Sequence, residues 1–312
     1  MKIEQLRYVI IAPEAEVVKW QAAFAKIAPT LTLEVGPLVE APETVSILLL
    51  WNHPAGCLKA FTNAQLIYSL GAGVDHLMRD PELPKHIPIC RIVDPLLSFS
   101  MSNYIIFALL YYHRKWDKYV ADQRDQIWDH DAPPEIPIKV GILGLGTLGQ
   151  DAAIKIKHLG FDVVGYSPSP KPLTGIQTFH EGQMDAFLAS CNVLVCTVPY
   201  TSATHGLLSM SLFKKLKKPT FLINASRGKV QKSQDILQAL DMGILTGAFL
   251  DVFEQEPLPK ESPMWRHPKI YITPHVASIT NPQAGAKQIL KNVQALLDHK
   301  PLVHQVNPSK GY

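Results

Sequence analysis

The sequence predicts an α/β protein built from two doubly wound parallel-sheet domains. Its 312 residues exceed the roughly 100–200 that are typical of one domain. Short apolar runs with strand character alternate with segments whose apolar residues recur at helical spacing, and this alternation is typical of parallel sheets. A polar, proline-dense segment at residues 128–137 separates two such series and has the composition of an interdomain connection.

The first series contains four predicted strands. The first apolar run, residues 7–13, ends at a proline, and residues 14–28 after it show helical spacing. The other three runs cover residues 31–35, 45–51 and 65–70, and a short helical stretch is predicted at residues 58–64. Nothing in the first 100 residues resembles a phosphate-binding loop, so we expect any nucleotide to bind to the second series.

The second series follows a long apolar helix predicted at residues 102–114. That apolar stretch is shorter than the ~18 residues that a membrane-spanning helix needs. A second long helix is predicted at residues 282–298, near the end of the chain. Between the two helices lie six predicted strands, at residues 138–143, 161–166, 193–198, 220–224, 247–251 and 270–273.

The composition fits a soluble, cytoplasmic protein and argues against several classes of function. The 30 Lys and Arg against 27 Asp and Glu give a formal net charge of +3, too small to predict nucleic-acid binding. The lysine run at residues 214–218 is typical of an exposed helix face. Four cysteines without a CxxC motif favour neither a disulfide framework nor a zinc site, and the polar residues 129–131 fit a solvated connection better than a metal site.

A glycine-rich loop directly follows the first strand of the second series and opens the next helix, as a dinucleotide-binding loop requires. Gly144 permits the tight turn, Gly146 leaves room for the pyrophosphate, and Gly149 allows close packing of the helix against the strand. The pyrophosphate then meets free backbone N–H groups at the positive end of the helix. Thr147 and Leu148 complete the predicted cofactor-binding loop.

The next strand end favours NADP(H) over NAD(H), although NAD(H) stays possible. NAD enzymes usually carry an Asp or Glu there, about 20 residues into the unit, to bind the ribose 2′-hydroxyl. The segment after Tyr166 has no acid, and Asp162 lies at the opposite end of the strand. Ser167 and Lys171 provide a hydroxyl and a cation for a 2′-phosphate, but the segment contains no arginine.

Three candidate catalytic residues follow the later strands of the second series. In a parallel doubly wound sheet, ligands bind at the carboxyl ends of the strands, so Arg227, Glu256 and His275 should face one crevice. The guanidinium of Arg227 suits the carboxylate and ketone of a 2-oxo acid. His275 suits a general acid that protonates the developing alkoxide, and Glu256 would favour and orient its imidazolium.

Four motifs resemble those of the D-isomer-specific 2-hydroxyacid dehydrogenase family. They are the loop at 144–149 and the segments 224–228, 247–257 and 273–275. The resemblance covers nearly the whole chain and is strongest from residue 138 to residue 282. Within the family, the chain looks most similar to the glyoxylate/hydroxypyruvate reductase A subgroup, on segments 51–54, 70–76, 257–265 and 311–312.

The resemblance implies roles for individual residues. Arg227, Glu256 and His275 form the catalytic set. The backbone amides of Ala72 and Gly73 hold the substrate carboxylate beside Arg227. The substrate pocket has Trp51 as a wall, and Asp251 binds the nicotinamide carboxamide. The remaining cofactor groove is implied to consist of Val198, Pro199, Ala225 and Ser226.

The resemblance also implies an architecture. A Rossmann dinucleotide-binding domain at residues 103–279 is inserted in a flavodoxin-like substrate domain made of residues 1–102 and 280–312. The two long helices cross between the domains, and a homodimer is expected with these helices in the interface. Two departures stand out: Pro168 and Pro170 occur near arginine positions of the subgroup, and residues 94–103 lack its usual glycine and glutamate pattern.

The function predicted from these features is the reduction of small 2-oxo acids, such as glyoxylate and hydroxypyruvate, by NAD(P)H. One alternative is an NAD-dependent dehydrogenase on the same fold that acts on another substrate, such as a phosphoglycerate or formate dehydrogenase. The other is a non-catalytic dinucleotide sensor similar to corepressors that reuse this fold. The joint presence of Arg227, Glu256 and His275 argues against the sensor, because sensing needs only the cofactor groove.

Overall fold

A computed structural model describes residues 2–131 and 134–308 of the chain. The chain divides into two compact units, one formed by Met1–Leu97 with Thr280–Tyr312 and the other by Ser98–Ile279. The first division lies inside a helix, a few residues before the boundary expected after residue 102. The assignment of substrate and cofactor roles to the two units stays a prediction. Residues 311 and 312, which contributed to the resemblance, lie outside the described residues.

The first unit contains a five-stranded parallel sheet in the order β2-β1-β3-β4-β5. This order is that of flavodoxin-like folds, so the prediction for this half is confirmed. Every residue of the second, third and fourth strands of that order is buried, which explains their uninterrupted apolar runs. In chain order the elements are β1 (Tyr8–Ile11), α1 (Glu14–Ile27), β2 (Leu33–Val35), β3 (Ile47–Leu50), β4 (Leu66–Ser69), α2 (Asp75–Met78) and β5 (Ile89–Arg91).

The long helix α3 (Pro95–His113) begins seven residues earlier than predicted. Asp94 starts it, because its carboxylate accepts a hydrogen bond from the Leu96 amide and Pro95 suits the first helical position. Among the described residues it is the one helix whose length and composition would allow it to cross a membrane, which the shorter predicted helix did not indicate. Its residues Ile105 and Leu109 are fully buried in a core cluster of the second unit, as in the core helix of a soluble protein. A short polar helix, α4 (Trp116–Asp125), follows it.

The second unit contains a seven-stranded parallel sheet in the order β12-β11-β10-β9-β6-β7-β8. The chain first runs outward along β7 and β8 and then returns past β6, which is the doubly wound order of dinucleotide-binding folds. Its elements are β6 (Lys139–Leu143), α5 (Thr147–His158), β7 (Asp162–Tyr166), β8 (Gln177–Phe179), α6 (Met184–Ser190), β9 (Val193–Cys196), α7 (Met210–Phe213), β10 (Thr220–Asn224), α8 (Ser233–Asp241), β11 (Leu245–Leu250) and β12 (Ile270–Ile272).

The seven-stranded sheet has a hydrophobic core on each face. Alternate residues of one strand point to opposite faces. Thus Leu194 of β9 belongs to one buried cluster, and its neighbours Val193 and Val195 belong to the other. The last helix, α9 (Pro282–Leu297), returns to the first unit, where Gly285 packs against Trp20 of α1.

Some short elements differ from the predictions. The stretch expected to be helical at residues 58–64 is a single 3₁₀ turn, Cys57–Ala60. The short elements β5, β8 and α2 were not predicted, since three or four residues carry too little periodicity to distinguish a strand or helix from a loop. Helix α4 was not predicted, because six of its ten residues are charged or polar and none of its residues is buried.

Candidate active site

The candidate residues of the second unit lie at one edge of its sheet. The glycine loop follows β6, residues 198–199 follow β9, and residues 225–227 follow β10. Asp251 follows β11, and His275 follows β12. Because all seven strands are parallel, these carboxyl ends lie on the same edge, where doubly wound sheets bind their ligands.

The glycine loop has the geometry of a dinucleotide cradle. Gly144 has a φ of +112°, a conformation that side chains strongly disfavour. A Cβ on Gly149 would lie 2.0 Å from the carbonyl oxygen of Gly144, so only glycine permits this contact between helix and strand. A Cβ on Gly146, which precedes α5, would meet no protein atom within 4 Å. The open space at Gly146, beside the first amides of α5, fits a pyrophosphate group.

Two side chains outside the motif hold the cradle in shape. The hydroxyl of Thr197, just after β9, donates to the Gly144 carbonyl at 2.8 Å. The side-chain amide of Gln150 donates to the Leu145 carbonyl at 2.9 Å. Neither residue was singled out from the sequence, because a hydroxyl or amide that binds a loop carbonyl leaves no pattern in the sequence.

The two residues predicted to meet a 2′-phosphate differ in accessibility. Ser167 directly follows β7 and is 5% exposed, and its amide donates to the Phe179 carbonyl. Lys171 extends its ammonium to the Leu145 carbonyl of the glycine loop at 2.9 Å. Lys171 therefore places a positive charge at the cradle itself. The exposed residues Pro168 and Pro170 lie between them in the chain.

His275 and Glu256 form a hydrogen-bonded pair. Nδ1 of the imidazole lies 2.8 Å from Oε2 of the carboxylate, and the Phe253 amide donates to Oε1 at 2.9 Å. Among the described residues, Nε2 of His275 has no hydrogen-bond partner. Its side chain is 40% exposed, so this nitrogen is available to a ligand.

The surroundings keep Glu256 ionised. Burial by itself raises the pKa of this carboxyl group. The hydrogen bonds from His275 and Phe253, together with the charges of His275 and Arg227, outweigh burial and lower the pKa below its usual value. A carboxylate bound to Nδ1 orients the imidazole ring, which a general acid requires.

Arg227 approaches this pair through tight backbone packing. A Cβ on the next residue, Gly228, would lie 1.7 Å from the Phe253 carbonyl oxygen, so the two loops touch through their backbones. The half-buried guanidinium donates from Nη1 to the Ser226 carbonyl at 2.7 Å. Its charge acts on Glu256, which shows that the three predicted catalytic side chains share one electrostatic environment.

The segment before Arg227 is shaped by a buried amide pair that the sequence did not indicate. The Asn224 side chain accepts from the amide and the hydroxyl of Ser226, at 3.1 and 2.7 Å. Its Nδ2 donates to the buried Gln231 side chain at 2.8 Å. These bonds fix the turn that carries Ala225 and Ser226, the residues predicted to line the cofactor groove.

Asp251 holds the loop that carries His275. Its carboxylate is 1% exposed and accepts hydrogen bonds from the Thr273 hydroxyl and the amides of Val276 and Ala277, at 2.7, 2.8 and 2.9 Å. Its backbone carbonyl also accepts from the His275 amide at 2.8 Å. The predicted contact with a nicotinamide carboxamide stays a prediction, and the structure adds this second role.

In the first unit, three consecutive residues of the loop after β4 have hydrogen-bonded carbonyls. The carbonyl of Gly71 accepts from the Ile92 amide at 3.1 Å, that of Ala72 from Nη1 of Arg91 at 3.0 Å, and that of Gly73 from the Ser69 hydroxyl at 2.7 Å. The N–H and C=O of a trans peptide point in opposite directions, so these bonds orient the amides. Among the described residues, the amides of Ala72 and Gly73 have no acceptor, which fits their predicted role with a carboxylate.

Trp51 covers the start of this loop. A Cβ on Gly71 would lie 2.6 Å from the indole, so glycine allows the ring to lie against the backbone. The indole also packs edge-on against His76, with 4.6 Å between the ring centroids. Nδ1 of His76 accepts from the Asn52 amide, and Nε2 donates towards Ser69 at 3.0 Å, which joins the two loops of this unit.

A dinucleotide cradle at the switch point of a doubly wound sheet, together with an acid-backed imidazole and an arginine at the same edge, defines a nicotinamide-dependent oxidoreductase. Residues 106–277 match the model of the D-isomer specific 2-hydroxyacid dehydrogenase family, NAD binding domain. The chain belongs to this family, and the resemblance found in the sequence is confirmed. It is an NAD(P)-dependent 2-hydroxyacid dehydrogenase.

The relatives below carry the name of the subgroup that the sequence resembles. The chain is 39% identical over 255 residues to the glyoxylate/hydroxypyruvate reductase A of Serratia proteamaculans, covering 80% of this chain and 82% of the relative. The relative of the same description from Yersinia enterocolitica is 34% identical over 271 residues, covering 85% and 87%.

Two crystal structures match nearly the full chain, each with a TM-score of 0.90. One is a D-isomer specific 2-hydroxyacid dehydrogenase from Xanthobacter autotrophicus in complex with NADPH and MES, 34% identical and covering 98% of this chain and 99% of the other. The second is an NADPH-dependent glyoxylate/hydroxypyruvate reductase from Sinorhizobium meliloti in complex with NADP and sulfate, 33% identical and covering 99% and 100%.

Proposed function

We propose that this enzyme reduces glyoxylate and hydroxypyruvate to the corresponding 2-hydroxy acids with NADPH. The observation that carries the proposal is the pairing of His275 with Glu256 at the same sheet edge as Arg227 and the glycine loop. The relatives from Serratia and Yersinia are named for reduction of these two acids, and the matching crystal structures are described with NADPH or NADP.

Each of the three catalytic side chains has its own role in the proposed reaction. Arg227 binds the substrate carboxylate and polarises the ketone with its planar guanidinium. His275 protonates the ketone oxygen from Nε2 while hydride adds to the carbonyl carbon, which yields the alcohol and leaves a neutral imidazole. Glu256 holds Nδ1 and stabilises the imidazolium before the transfer. When bound, the reduced nicotinamide supplies the hydride.

The first unit supplies the remaining substrate contacts in this proposal. The amides of Ala72 and Gly73 bind the carboxylate, supported from behind by Arg91 and Ser69. Trp51 forms one wall of the pocket in this proposal. The first turns of α3, whose residues 94–103 depart from the subgroup's usual pattern, contact the distal end of the substrate.

NADPH is the proposed cofactor, with NADH as a weaker alternative. The absence of an acid after β7 removes the residue that would repel a 2′-phosphate and bind a 2′-hydroxyl. Lys171, held on the glycine loop, provides the cation. Pro168 and Pro170 occur near arginine positions of the subgroup, so we expect a smaller preference for NADPH than arginines would provide.

A cytoplasmic homodimer is the proposed form of the protein. Large apolar side chains are exposed on α3, on α4 and in the segment after it, which a second copy of the chain would cover. Among them, Phe107 is 57% exposed, Trp116 53% and Trp128 86%. A mass of about 70 kDa in light scattering supports the dimer, given 34.7 kDa per chain, and a mass of one chain would contradict it.

The test is a set of initial rates with NADPH or NADH against glyoxylate, hydroxypyruvate and pyruvate. The proposal predicts oxidation of NADPH with the first two acids and its loss in Arg227→Ala. High activity with another 2-oxo acid alone would favour a different dehydrogenase of the same family. Tight dinucleotide binding without turnover of any 2-oxo acid would favour a dinucleotide sensor.

A further inference from the structure

A chain of three polar side chains connects α3 to the loop that carries His275. The Tyr104 hydroxyl lies 2.6 Å from the Thr273 hydroxyl, which donates to Oδ1 of Asp251 at 2.7 Å. The Thr273 hydroxyl has one hydrogen and donates it to Asp251, so the Tyr104 hydroxyl donates to Thr273. Burial raises the pKa of Tyr104 well above its usual value, which keeps this hydroxyl a donor over the working pH range.

Asp251 in turn fixes the backbone around His275. It binds the amide of His275 with its carbonyl, and the amides of the next two residues with its carboxylate. His275 has a φ of +56°, which non-glycine residues rarely adopt and which persists only where neighbouring groups hold it. The direction of the imidazole therefore depends on how firmly Asp251 is held.

We propose that Tyr104 is a positioning residue for His275, acting through Thr273 and Asp251. The inference rests on the proposed function, in which His275 is the general acid. The Tyr104 ring packs edge-on against Phe249 of β11, with 5.6 Å between the ring centroids. This packing fixes the position of the Tyr104 hydroxyl. Without that hydroxyl, the Thr273 hydroxyl loses its donor and is free to rotate away from Asp251, and the catalytic loop loosens.

Helix α3 supplies a matched control for the test. Tyr112 also has a hydroxyl bound to a threonine, since it accepts from Thr246 at 3.1 Å, and its ring stacks on Phe221. Tyr104→Phe and Tyr112→Phe therefore each remove one tyrosine hydroxyl bound to a threonine. The Tyr112 hydroxyl makes no contact with the loop that carries His275.

The experiment measures hydride transfer in single turnovers of the full chain with NADPH and glyoxylate. Tyr104→Phe should slow this step about tenfold, since a small displacement of a general acid is costly, while the dissociation constant for NADPH stays unchanged. Tyr112→Phe should stay within about twofold of the parent enzyme. Equal rates for the two variants would overturn the proposal.

Thr273 provides a second, independent measurement. Thr273→Val removes the hydroxyl at constant shape and should be slowed as Tyr104→Phe is, whereas Thr273→Ser keeps the hydroxyl and should retain most of the rate. The double variant Tyr104→Phe/Thr273→Val should be no slower than Thr273→Val alone, because Thr273→Val by itself already removes the hydrogen-bond connection between Tyr104 and Asp251. If the rate reductions of the two single variants multiply in the double variant, the proposal is overturned. If the melting temperature of Tyr104→Phe is well below that of Tyr112→Phe, the proposal is tested by comparing the rates of Thr273→Val and Thr273→Ser.

His275→Asn separates this inference from the proposed function. If His275→Asn keeps the hydride-transfer rate, the proposed general acid is wrong and the proposed function fails with it. If His275→Asn loses about a hundredfold or more while Tyr104→Phe matches Tyr112→Phe, the proposed function stands and only the role of Tyr104 is refuted.

Discussion

Nδ1 of His275 and Oε2 of Glu256 lie 2.8 Å apart, and the pKa of Glu256 is lowered despite its partial burial. A carboxyl group with a lowered pKa in the folded protein stabilises the fold above its unfolded pKa of about 4.3 and loses this effect as the pH falls through its folded pKa. The pair therefore stays intact throughout the neutral range. Its failure on the acid side is expected only below about pH 4.

Replacing Glu256 by Gln should slow the reaction. The carboxylate lies 2.8 Å from Nδ1 of His275 and orients the ring for proton transfer from Nε2. Glu256→Gln keeps the shape of the side chain but removes its charge, so kcat should fall roughly tenfold or more while the NADPH dissociation constant stays unchanged. An unchanged kcat would show that Glu256 does not support the general acid.

Two glycines of the cradle should respond differently to alanine. Gly149→Ala places a Cβ 2.0 Å from the Gly144 carbonyl and should destabilise the protein by about 1–3 kcal/mol, measured by chemical denaturation. Gly146→Ala meets open space, so it should fold normally yet weaken NADPH binding about tenfold or more by obstructing the pyrophosphate. Normal NADPH affinity in folded Gly146→Ala would mean that the pyrophosphate binds elsewhere.

Lys171 should discriminate between the two nicotinamide cofactors. Its ammonium lies 2.9 Å from the Leu145 carbonyl and would pair with the 2′-phosphate that only NADPH carries. Lys171→Gln should lower kcat/KM for NADPH about tenfold and leave the value for NADH nearly unchanged, as expected for a charge-assisted hydrogen bond. Lys157→Gln, a lysine at the other end of α5, is a control that should change neither value.

Arg91 should affect the substrate and not the cofactor. This half-buried guanidinium binds the Ala72 carbonyl, and burial lowers its pKa. Arg91→Gln should release the Ala72–Gly73 peptide and raise the KM for glyoxylate about fivefold or more, with the NADPH dissociation constant unchanged. A changed affinity for NADPH, or an unchanged KM, would contradict a role in substrate binding.

The parts of the fold that could be predicted from the sequence are those with a strong local pattern. The buried strands produced continuous apolar runs, and β10 (Thr220–Asn224) was predicted to the residue. The start of α3 could not be predicted, because residues 95–101 contain a proline and two serines. Only the structure shows that Pro95 occupies the first helical position, after Asp94 begins the turn.

The residues of the candidate site also divide into those that a sequence pattern indicates and those that only the structure reveals. Gly144, Gly149 and the catalytic triplet could be named because their chemistry requires those residue types at those strand ends. Thr197 and Tyr104 could not be, because their effect depends on which distant carbonyl or hydroxyl they contact after folding. For Asp251, the family resemblance implies a cofactor contact, but no sequence pattern indicates that its carboxylate holds the His275 loop.

The most direct test of hydride transfer uses NADPH that carries deuterium at both hydrogen positions of C4. With hydroxypyruvate as substrate, we expect D-glycerate that carries one deuterium at C2, and no such product from Arg227→Ala. Unlabelled glycerate, the L-isomer, or labelled product formed equally well by Arg227→Ala would contradict it.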